Sequence, residues 1–413
     1  MRTQTVKVKI SQRRAQLGLS LVELMVAMGI SLFMLTAIAL VYMSSKTGFV
    51  YANNTVRMSE DASFALETIS RDVRMAAYGG CKGTSLLSTG KGADNLANTA
   101  DDPIDPPTGA STTDPTTSSS PKLFNVTTLG SNPELNLFYS TNGLYTALNA
   151  VRGVKEGTDG ATDRAKLPTS TSYSISATAP MLHVSGGSAK ALQVTPGSLP
   201  AIGDTSITLA VDPYKWATKS MLLLLSDCNG SELFRTVAGA TGSTTLDLET
   251  GKKVLNTYNP DALIAPITAS TYFLATRTGA STPSLYRRYF DGNTATSPAE
   301  ELVPNVEAIT FQYGINTANN PTTGEPTYRA DIYKKNTGTD ESAAGQALSN
   351  YDWSRVVSVR IGLIVVSEET GKRVDADTSV DWINGTYTPP NTTDRRLRHA
   401  YSTTVSIRNR SGL

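Results

Sequence analysis

Residues 18–42 read GLSLVELMVAMGISLFMLTAIALVY, and this stretch decides how the chain is organised. Between residues 19 and 42 the only charged side chain is the carboxylate of Glu23. Placing an acidic side chain in a membrane helix costs about 2.5–3.5 kcal/mol, so such an acid needs a partner and generally has a function. The span is long enough to cross a bilayer, which takes roughly 20 residues. It therefore predicts a transmembrane helix over about 19–42 with one functional acid near its start.

A basic leader, residues 1–18, precedes this span. It contains no acid, and its cations are Arg2, Lys7, Lys9, Arg13 and Arg14. Positive charge before an apolar span keeps that end of a protein in the cytoplasm. A secretory signal peptide has its cleavage site after the apolar core, whereas the candidate cleavage residue here, Gly18, comes before it. Cleavage at Gly18 would remove the leader and keep the helix. An uncleaved signal anchor, with Glu23 facing another helix, is the alternative.

The predicted helix continues past the membrane, over residues 19–78, because no proline interrupts it. Apolar residues recur at steps of three and four in its second part, which is the spacing of one helix face. They are Met58, Ala62, Ala65, Leu66, Ile69, Val73 and Ala76. This stripe indicates a face that packs on a β-sheet. Gly48 is a point where the helix could bend or stop, and Gly79-Gly80 is the predicted end.

The chain lacks the strong excess of basic over acidic residues that nucleic-acid binding generally requires. The whole chain of 413 residues has a formal net charge of +1, and it becomes slightly acidic without the leader. A nucleic-acid-binding protein usually shows a strong excess of basic residues. No nucleic-acid partner is therefore predicted.

The two cysteines, Cys81 and Cys228, both follow the membrane span and should lie outside the cytoplasm. Two cysteines in an oxidising compartment predict one disulfide. Two buried free thiols are the alternative. A metal site is not expected, because two cysteines and two distant histidines do not supply the close set of four ligands that zinc prefers.

The remainder, residues 79–413, is predicted to form a β-rich head with long polar loops. The longest of these loops covers residues 88–121, and others cover 155–172 and 316–348. Four aspartates of the first loop could hold a calcium ion, but they lack the ordered spacing and closing glutamate of a known calcium loop. A solvated acidic loop is the expectation.

Alternating or continuous apolar runs between these loops predict β-strands. The runs are 135–139, 207–211, 221–225, 233–234, 272–275, 284–289, 309–315, 357–365 and 401–407. The run 221–225 fits a fully buried strand, 272–275 and 284–289 fit a hairpin, and 357–365 is predicted to be the longest strand. One long helix followed by antiparallel strands defines an α+β fold.

No motif for catalysis is present, so an enzyme is not predicted and no cofactor is expected. His183 lies in a short apolar run and is expected to be structural. His399 lies in a basic run with Arg395, Arg396 and Arg398, for which a solvated strand start is expected. Contact of that run with an acidic partner or DNA is the alternative.

The order of basic leader, Gly18, Leu19, Ser20 and Glu23 resembles the class III signal of type IV pilins and pseudopilins. The resemblance implies that a prepilin peptidase cuts after Gly18 and methylates the new N-terminus of Leu19. In that family the first mature residue is usually Phe and the second is often Thr. The new ammonium group of Leu19 could then pair with Glu23 of a neighbouring subunit, which lowers the cost of burying both charges.

Further segments resemble the PilW family of minor type IV pilins, and they occur in that family's order. They are RDVRMAAYGGC (71–81), LLLLSDCNGSELFR (222–235), SLYRR (284–288), ELVPNVEAITFQYGI (301–315), SVRIGLIVVS (358–367) and RRLRHAYSTTVSIRNR (395–410). Cys81 and Cys228 match the positions of the family's two cysteines. The resemblance implies a pilin-like fold, with a long N-terminal helix packed on a mostly antiparallel sheet.

The resemblance also implies a function in pilus assembly, as part of a minor-pilin priming or tip complex. Its expected partners are other minor pilins, the major pilin, the prepilin peptidase, a PilY-type tip adhesin and the bacterial inner membrane. The protein would cross that membrane once, with a cytoplasmic N-terminus and a periplasmic head, and then reach the pilus at the cell surface. Twitching motility and cell adhesion are among the behaviours such pili serve. A minor pseudopilin of a type II secretion system, and a pilus-displayed adhesin or DNA-uptake receptor, are the alternatives.

Overall fold

The computed structural model describes one long helix and most of a β-rich head. The described residues are 20–78, 124–125, 151–157, 161–164, 167, 170–188, 190–213, 220–227, 231–239, 242–254, 257–291, 299–317, 329–336, 348, 353, 355–368, 379–390 and 396–410. The chain divides into two units, Met1–Asn54 and Thr55–Leu413.

Helix α1 covers Leu21–Met75 and confirms the predicted long helix. Its part in the first unit is exposed at every residue from 20 to 53. The helix does not stop at Gly48. From Leu21 to Tyr42 the helix is apolar apart from Glu23 and a few hydroxyl side chains, which suits a lipid or helix-bundle environment rather than water.

The second unit contains the last part of α1 and the strands. In order they are β1 (Phe124–Asn125), β2 (Val151–Val154), β3 (Tyr173–Ile175), β4 (Met181–Gly187), β5 (Leu192–Gln193), β6 (Ser206–Thr208), β7 (Leu222–Ser226), β8 (Ser231–Arg235), β9 (Thr245–Asp247), β10 (Leu263–Arg277), β11 (Ser284–Phe290), β12 (Ala299–Val303), β13 (Val306–Ile315), β14 (Ile332–Lys335), β15 (Val356–Val366), β16 (Val380–Trp382), β17 (Gly385–Tyr387) and β18 (Arg398–Ser406). A one-turn helix covers Ala161–Arg164 and a 3₁₀ turn covers Arg408–Arg410.

Two larger sheets form the head. One has the order β1-β8-β7-β10-β11-β12, with β3, β4 and β5 also paired to β10 and β2 paired to β4. The other has the order β14-β13-β15-β18 and is antiparallel throughout. The pairs β6–β9 and β16–β17 are separate two-stranded sheets. The structure is therefore α+β and mostly antiparallel, as predicted, with a parallel pairing of β1 and β8.

Strand β10 organises the larger sheet because it changes partners along its length. Residues 263–266 pair with β7, residues 267–272 with β4 and residues 269–275 with β11. Pro266 lies where the partner changes from β7 to β4. Proline has no N–H to donate, so it is tolerated where a ladder is interrupted.

The apolar stripe of α1 packs on both larger sheets, which confirms the sequence prediction. Met58, Ala62, Ala65, Ile69 and Val73 are each 0–3% exposed. They share one core with residues of β4, β10 and β11 and with β13, β15 and β18. A second core, around β7 and β10, includes Val194, Ile207, Phe234 and Leu246. The first core is thus the place where helix and sheets stabilise one another.

The helix ends earlier than the predicted glycine pair, and a different residue ends it. Ala77 has a φ of 60°, the left-handed conformation that commonly terminates helices. The following backbone then extends along β4: the Ala77 N–H donates to the Ser185 carbonyl at 3.0 Å, and the Gly187 N–H donates to the Tyr78 carbonyl at 2.7 Å. The side-chain amide of Asn409 donates to the Ala76 carbonyl at 2.9 Å and satisfies one free helix carbonyl.

Each predicted run that lies among the described residues contains a strand, but many observed strands were not predicted. The strands that were not predicted are β1, β2, β3, β4, β5, β9, β12, β14, β16 and β17. Strand β7 is buried at every residue and β10 pairs with β11 as a hairpin, both as predicted. The longest strand is β10 with 15 residues, not β15 with 11, so that prediction was wrong. The predicted loop 316–348 contains β14, and the loop 155–172 contains the one-turn helix. The run 135–139 and the loop 88–121 lie outside the described residues.

Gly186 provides a test of the helix end. A Cβ on this glycine would lie 2.9 Å from the Met75 carbonyl oxygen, whereas a Cβ on Gly197 would have no atom within 4 Å. We expect Gly186→Ala to destabilise the head by about 1–3 kcal/mol, because backbone atoms must move to accommodate the methyl group. Thermal unfolding of the full chain in detergent measures this effect. Gly197→Ala is the matched control, and equal stability of the two variants would contradict the close approach.

Candidate assembly site

The first turn of α1 holds Glu23, the only predicted site residue that lies among the described residues. The Ser20 backbone N–H donates to the Glu23 carboxylate at 3.1 Å, and the Glu23 backbone N–H donates to the Ser20 hydroxyl at 3.2 Å. This reciprocal pair is a capping box, in which a serine and a glutamate three residues later satisfy free N–H groups at a helix start. This capping role was not predicted, although the Ser-x-x-Glu spacing in the sequence is its signal.

The helix that follows is suited to a membrane in its backbone and in its few polar side chains. Its most apolar 18-residue window has a mean hydropathy of 2.5, and by length and composition α1 could cross a membrane. The hydroxyls of Ser31, Thr36 and Thr47 donate to backbone carbonyls four residues earlier, at 2.6–2.9 Å. Because such groups find no water in the bilayer core, internal hydrogen bonds lower the cost of placing them there.

The other predicted site residues lie outside the described residues. They are Gly18 and Leu19 at the predicted cleavage site and Cys81 and Cys228 of the predicted disulfide. Processing, methylation and disulfide formation therefore stay predictions.

A second acidic residue of α1, Asp72, fastens the helix to the large sheet. Its carboxylate accepts hydrogen bonds from the Ser270 hydroxyl at 2.6 Å and the Tyr272 hydroxyl at 2.6 Å. The Arg287 guanidinium donates to the same oxygen at 2.9 Å and forms an ion pair with it. Burial, together with the charge of Asp72, raises the pKa of the Tyr272 hydroxyl, which therefore stays protonated as a donor. These groups form a helix clamp, defined by Asp72, Ser270, Tyr272 and Arg287.

A cavity of about 310 Å³ lies beside the helix clamp, between the end of α1 and strands β4, β10 and β11. Arg71, Met75 and Tyr289 are among its lining residues, and Arg287 stacks on the Tyr289 ring at 4.9 Å. The carboxylate at this cavity is already bonded to three groups of the sheet. Among the described residues, no group of three His, Cys, Asp or Glu side chains is placed to hold a metal ion.

The basic run near the C-terminus is not a solvated strand start, which corrects the expectation for two of its arginines. The Arg398 guanidinium is buried and forms a two-point ion pair with Glu307, at 2.7 and 3.0 Å. Arg396 donates to the Ser367 carbonyl at 2.7 Å and to the Asn305 side chain at 3.3 Å. These arginines therefore bond to groups within the head and help to stabilise it. Arg395 lies outside the described residues.

The two histidines lie in different sheets. His183 on β4 is fully buried, and its Nδ1 lies 2.7 Å from the Thr271 hydroxyl of β10, as expected for a structural residue. His399 lies on β18, with its ring 6.4 Å from that of Tyr401.

Comparison with known proteins supports a relation to pilus assembly. Residues 271–409 match the family model described as Type IV Pilus-assembly protein W. The resemblance to the PilW family is therefore confirmed over these residues, which run from the middle of β10 to the 3₁₀ turn. No curated protein matches the chain. A search of solved structures finds a type IV-like pilin from Thermus thermophilus, with 14% identity, a TM-score of 0.22, and coverage of 49% of this chain and 89% of that one.

Two acids of α1 give opposite expectations for the stability of the head. Asp72→Ala should destabilise it by about 2–3 kcal/mol, because Arg287 and two hydroxyls lose their common acceptor.

Burial and the nearby charge of Glu60 raise the pKa of the Asp61 carboxyl, so its ionised form opposes folding. We expect Asp61→Asn to be at least as stable as the wild type at neutral pH. This advantage should disappear as the pH falls through the raised pKa and Asp61 becomes protonated.

Urea unfolding of the full chain in detergent, followed at several pH values, measures both effects. Equal loss of stability in Asp72→Ala and Asp61→Asn would contradict the distinction between the helix clamp and Asp61.

Proposed function

We propose that this chain is a minor type IV pilin that takes part in pilus assembly within a minor-pilin priming or tip complex. The observation that carries the proposal is the first part of α1, which is exposed from residue 20 to residue 53, is apolar up to Tyr42, and bears a single acid in its first turn. The match of residues 271–409 to the pilus-assembly family supports it independently of the helix. The same match favours a pilus subunit over a pseudopilin of a secretion system.

In this proposal a prepilin peptidase cleaves after Gly18 and methylates Leu19. The head, residues 79–413, lies in the periplasm while residues 19–42 cross the inner membrane, and a disulfide joins Cys81 to Cys228. Partners are the major pilin, other minor pilins and a PilY-type tip adhesin. The role is structural rather than catalytic, and it is consistent with a helix clamp in which Asp72 is already bonded to the sheet.

The Ser20–Glu23 capping box gives the assembly step a specific mechanism. Within one subunit the Glu23 carboxylate accepts from its own Ser20 N–H, so it is held at the start of the helix. Leu19 is adjacent to Ser20 in sequence, and cleavage would place an ammonium group there. In a filament the carboxylate of one subunit would meet the ammonium of the next. Both charges are then paired in an apolar bundle, which only a correctly docked subunit achieves.

Processing tests the proposal directly. We expect Gly18→Ala to leave an unprocessed precursor, because the peptidase requires the glycine before the new N-terminus in the class III signal. Mass spectrometry of the purified protein reports whether the chain begins at Met1 or at a methylated Leu19. Gly29→Ala is a matched control, since a Cβ at Gly29 has no atom within 4 Å and the residue lies in the same apolar helix. Normal processing of Gly18→Ala would contradict the proposed cleavage.

Two substitutions separate the charge of Glu23 from its capping role. Glu23→Gln keeps an oxygen that can accept from the Ser20 N–H but removes the charge, whereas Ser20→Ala weakens the cap and keeps the charge. We expect Glu23→Gln to lower the amount of the protein in sheared pili by about tenfold or more. Without the Glu23 carboxylate, the Leu19 ammonium of the neighbouring subunit would be buried unpaired, which costs several kcal/mol. Ser20→Ala should remain close to the wild type.

Immunoblots of sheared pili, normalised to the total cellular protein, measure this difference. Wild-type levels of Glu23→Gln in pili would exclude the charge-pairing mechanism, and so would an equal loss in Ser20→Ala.

A further inference from the structure

Strand β18 forms the outer edge of the four-stranded sheet, and its backbone orientation can be assigned residue by residue. It pairs antiparallel with β15 from Ser406 to Arg398 without a register shift. Just beyond this ladder, the Ile407 N–H donates to the Val357 carbonyl at 2.9 Å, so residue 407 faces β15. Backbone hydrogen bonds alternate in an antiparallel pair. The odd-numbered residues of β18 therefore bond to β15, and the even-numbered residues point to the outside.

Four consecutive outward positions lie on this edge: Ala400, Ser402, Thr404 and Ser406. In the part of the chain that the structure describes, β18 pairs with β15 and with no other strand. The side chains of Ser402, Thr404 and Ser406 are exposed. The edge is therefore a straight row of backbone donors and acceptors that is about 20 Å long, at roughly 3.4 Å per residue.

Among the described strands, the other ends of the two larger sheets carry features that prevent strand pairing, whereas β18 carries none from Ala400 to Ser406. Strand β1 has two residues. Strand β12 has Glu300 and Glu301, and β14 has Lys334 and Lys335. Short length and charge are the devices by which proteins prevent the pairing of exposed edges. From Ala400 to Ser406 the sequence AYSTTVS has no charge and no proline. This contrast distinguishes β18 as a surface that can accept a strand.

The location of β18 indicates the source of that strand. The inner face of β18 packs against the core that contains the buried face of α1, where Val405 is buried and Tyr401 is partly buried. The hairpin of β16 and β17 packs over the outer face of the same sheet, where the Gln312 amide donates to the Ile383 carbonyl at 3.0 Å. Strand β16 contacts β18 there, but within the described residues no backbone ladder joins the hairpin to β18. A strand added to β18 would thus lie beside α1, the element by which pilins pack in a filament.

We propose that β18 is a strand-addition site that pairs with an extended, uncharged segment of a different pilus subunit. The backbone hydrogen bonds of the outward residues would provide affinity, and the small side chains of Ala400, Ser402 and Thr404 would select against a charged or bulky partner strand. This inference rests on the proposed function, because the partner is a neighbour in the pilus.

The test uses the full chain in cells that assemble pili. Thr404→Pro removes an outward N–H and leaves the bonds of Thr403 and Val405 to β15 in place, since proline is tolerated on edge strands. We expect its amount in sheared pili to fall at least tenfold, while its thermal unfolding in detergent stays close to that of the wild type. Thr404→Ala is the matched control, because it changes the side chain and keeps the N–H, and it should enter pili normally.

Thr404→Lys keeps the backbone and gives β18 the charge found on β14, so it tests the site even if the proline variant does not fold. We expect it also to be depleted from pili. Wild-type incorporation of the folded proline variant or of the lysine variant, or equal depletion of Thr404→Ala, would overturn the inference. So would a dimer of the purified chain in detergent that Thr404→Pro abolishes, because the occupant would then be a second copy. Absence of the wild-type chain from pili would refute the proposed function itself.

Discussion

The burial of one helix face against two sheets is the interaction on which the head depends. Alanines at positions 62, 65 and 76 let the sheets approach the helix closely, and Met58, Ile69 and Val73 fill the space between them. Burying apolar surface contributes about 25 cal/mol per Å² to the stability of the folded state. In this unit, the apolar face of α1 is removed from water by packing on the sheets. Apolar packing alone is not directional. The helix clamp at Asp72 adds three directional hydrogen bonds, which fix the rotation of α1 about its own axis relative to the sheet.

The same helix contains two acids whose surroundings differ in kind. Asp72 has its partners within the head, so its charge is satisfied when the domain folds. Glu23 has only the N–H groups of its own helix start within the described residues, and the apolar surface around it is exposed. A capping box holds such a carboxylate in place without neutralising it. This difference is the physical reason to assign Asp72 to folding and to propose Glu23 for assembly.

The features that depend on local pattern could be predicted from the sequence. The helix stripe at 58–76, the buried strand β7 and the β10–β11 hairpin follow from periodicity and apolar runs. The end of the helix could not be predicted, because Ala77 adopts the left-handed conformation only where β4 accepts the backbone beyond it. The length of β10 was underestimated because Pro266 and small residues interrupt its apolar pattern, while three partner strands still stabilise it.

The partners of the buried arginines depend on tertiary structure in the same way. Arg398 reads as part of an exposed basic run, and only the fold brings Glu307 to it from another strand. The clamp at Asp72 likewise joins residues about 200 positions apart, which no local pattern reveals. By contrast, the Ser20–Glu23 pair is local, so its spacing could have been recognised in the sequence.

The bond between Asn409 and the Ala76 carbonyl joins the end of the first helix to the last described turn, across 333 residues. Contacts between such distant residues form slowly, because the long intervening chain must first be ordered. Because a polypeptide is synthesised from its N-terminus, this contact cannot form until the segment around Asn409 has been made and has joined the head. A chain shortened by translational arrest therefore lacks the tie that finishes the helix end, and it differs physically from a complete subunit before any partner is encountered.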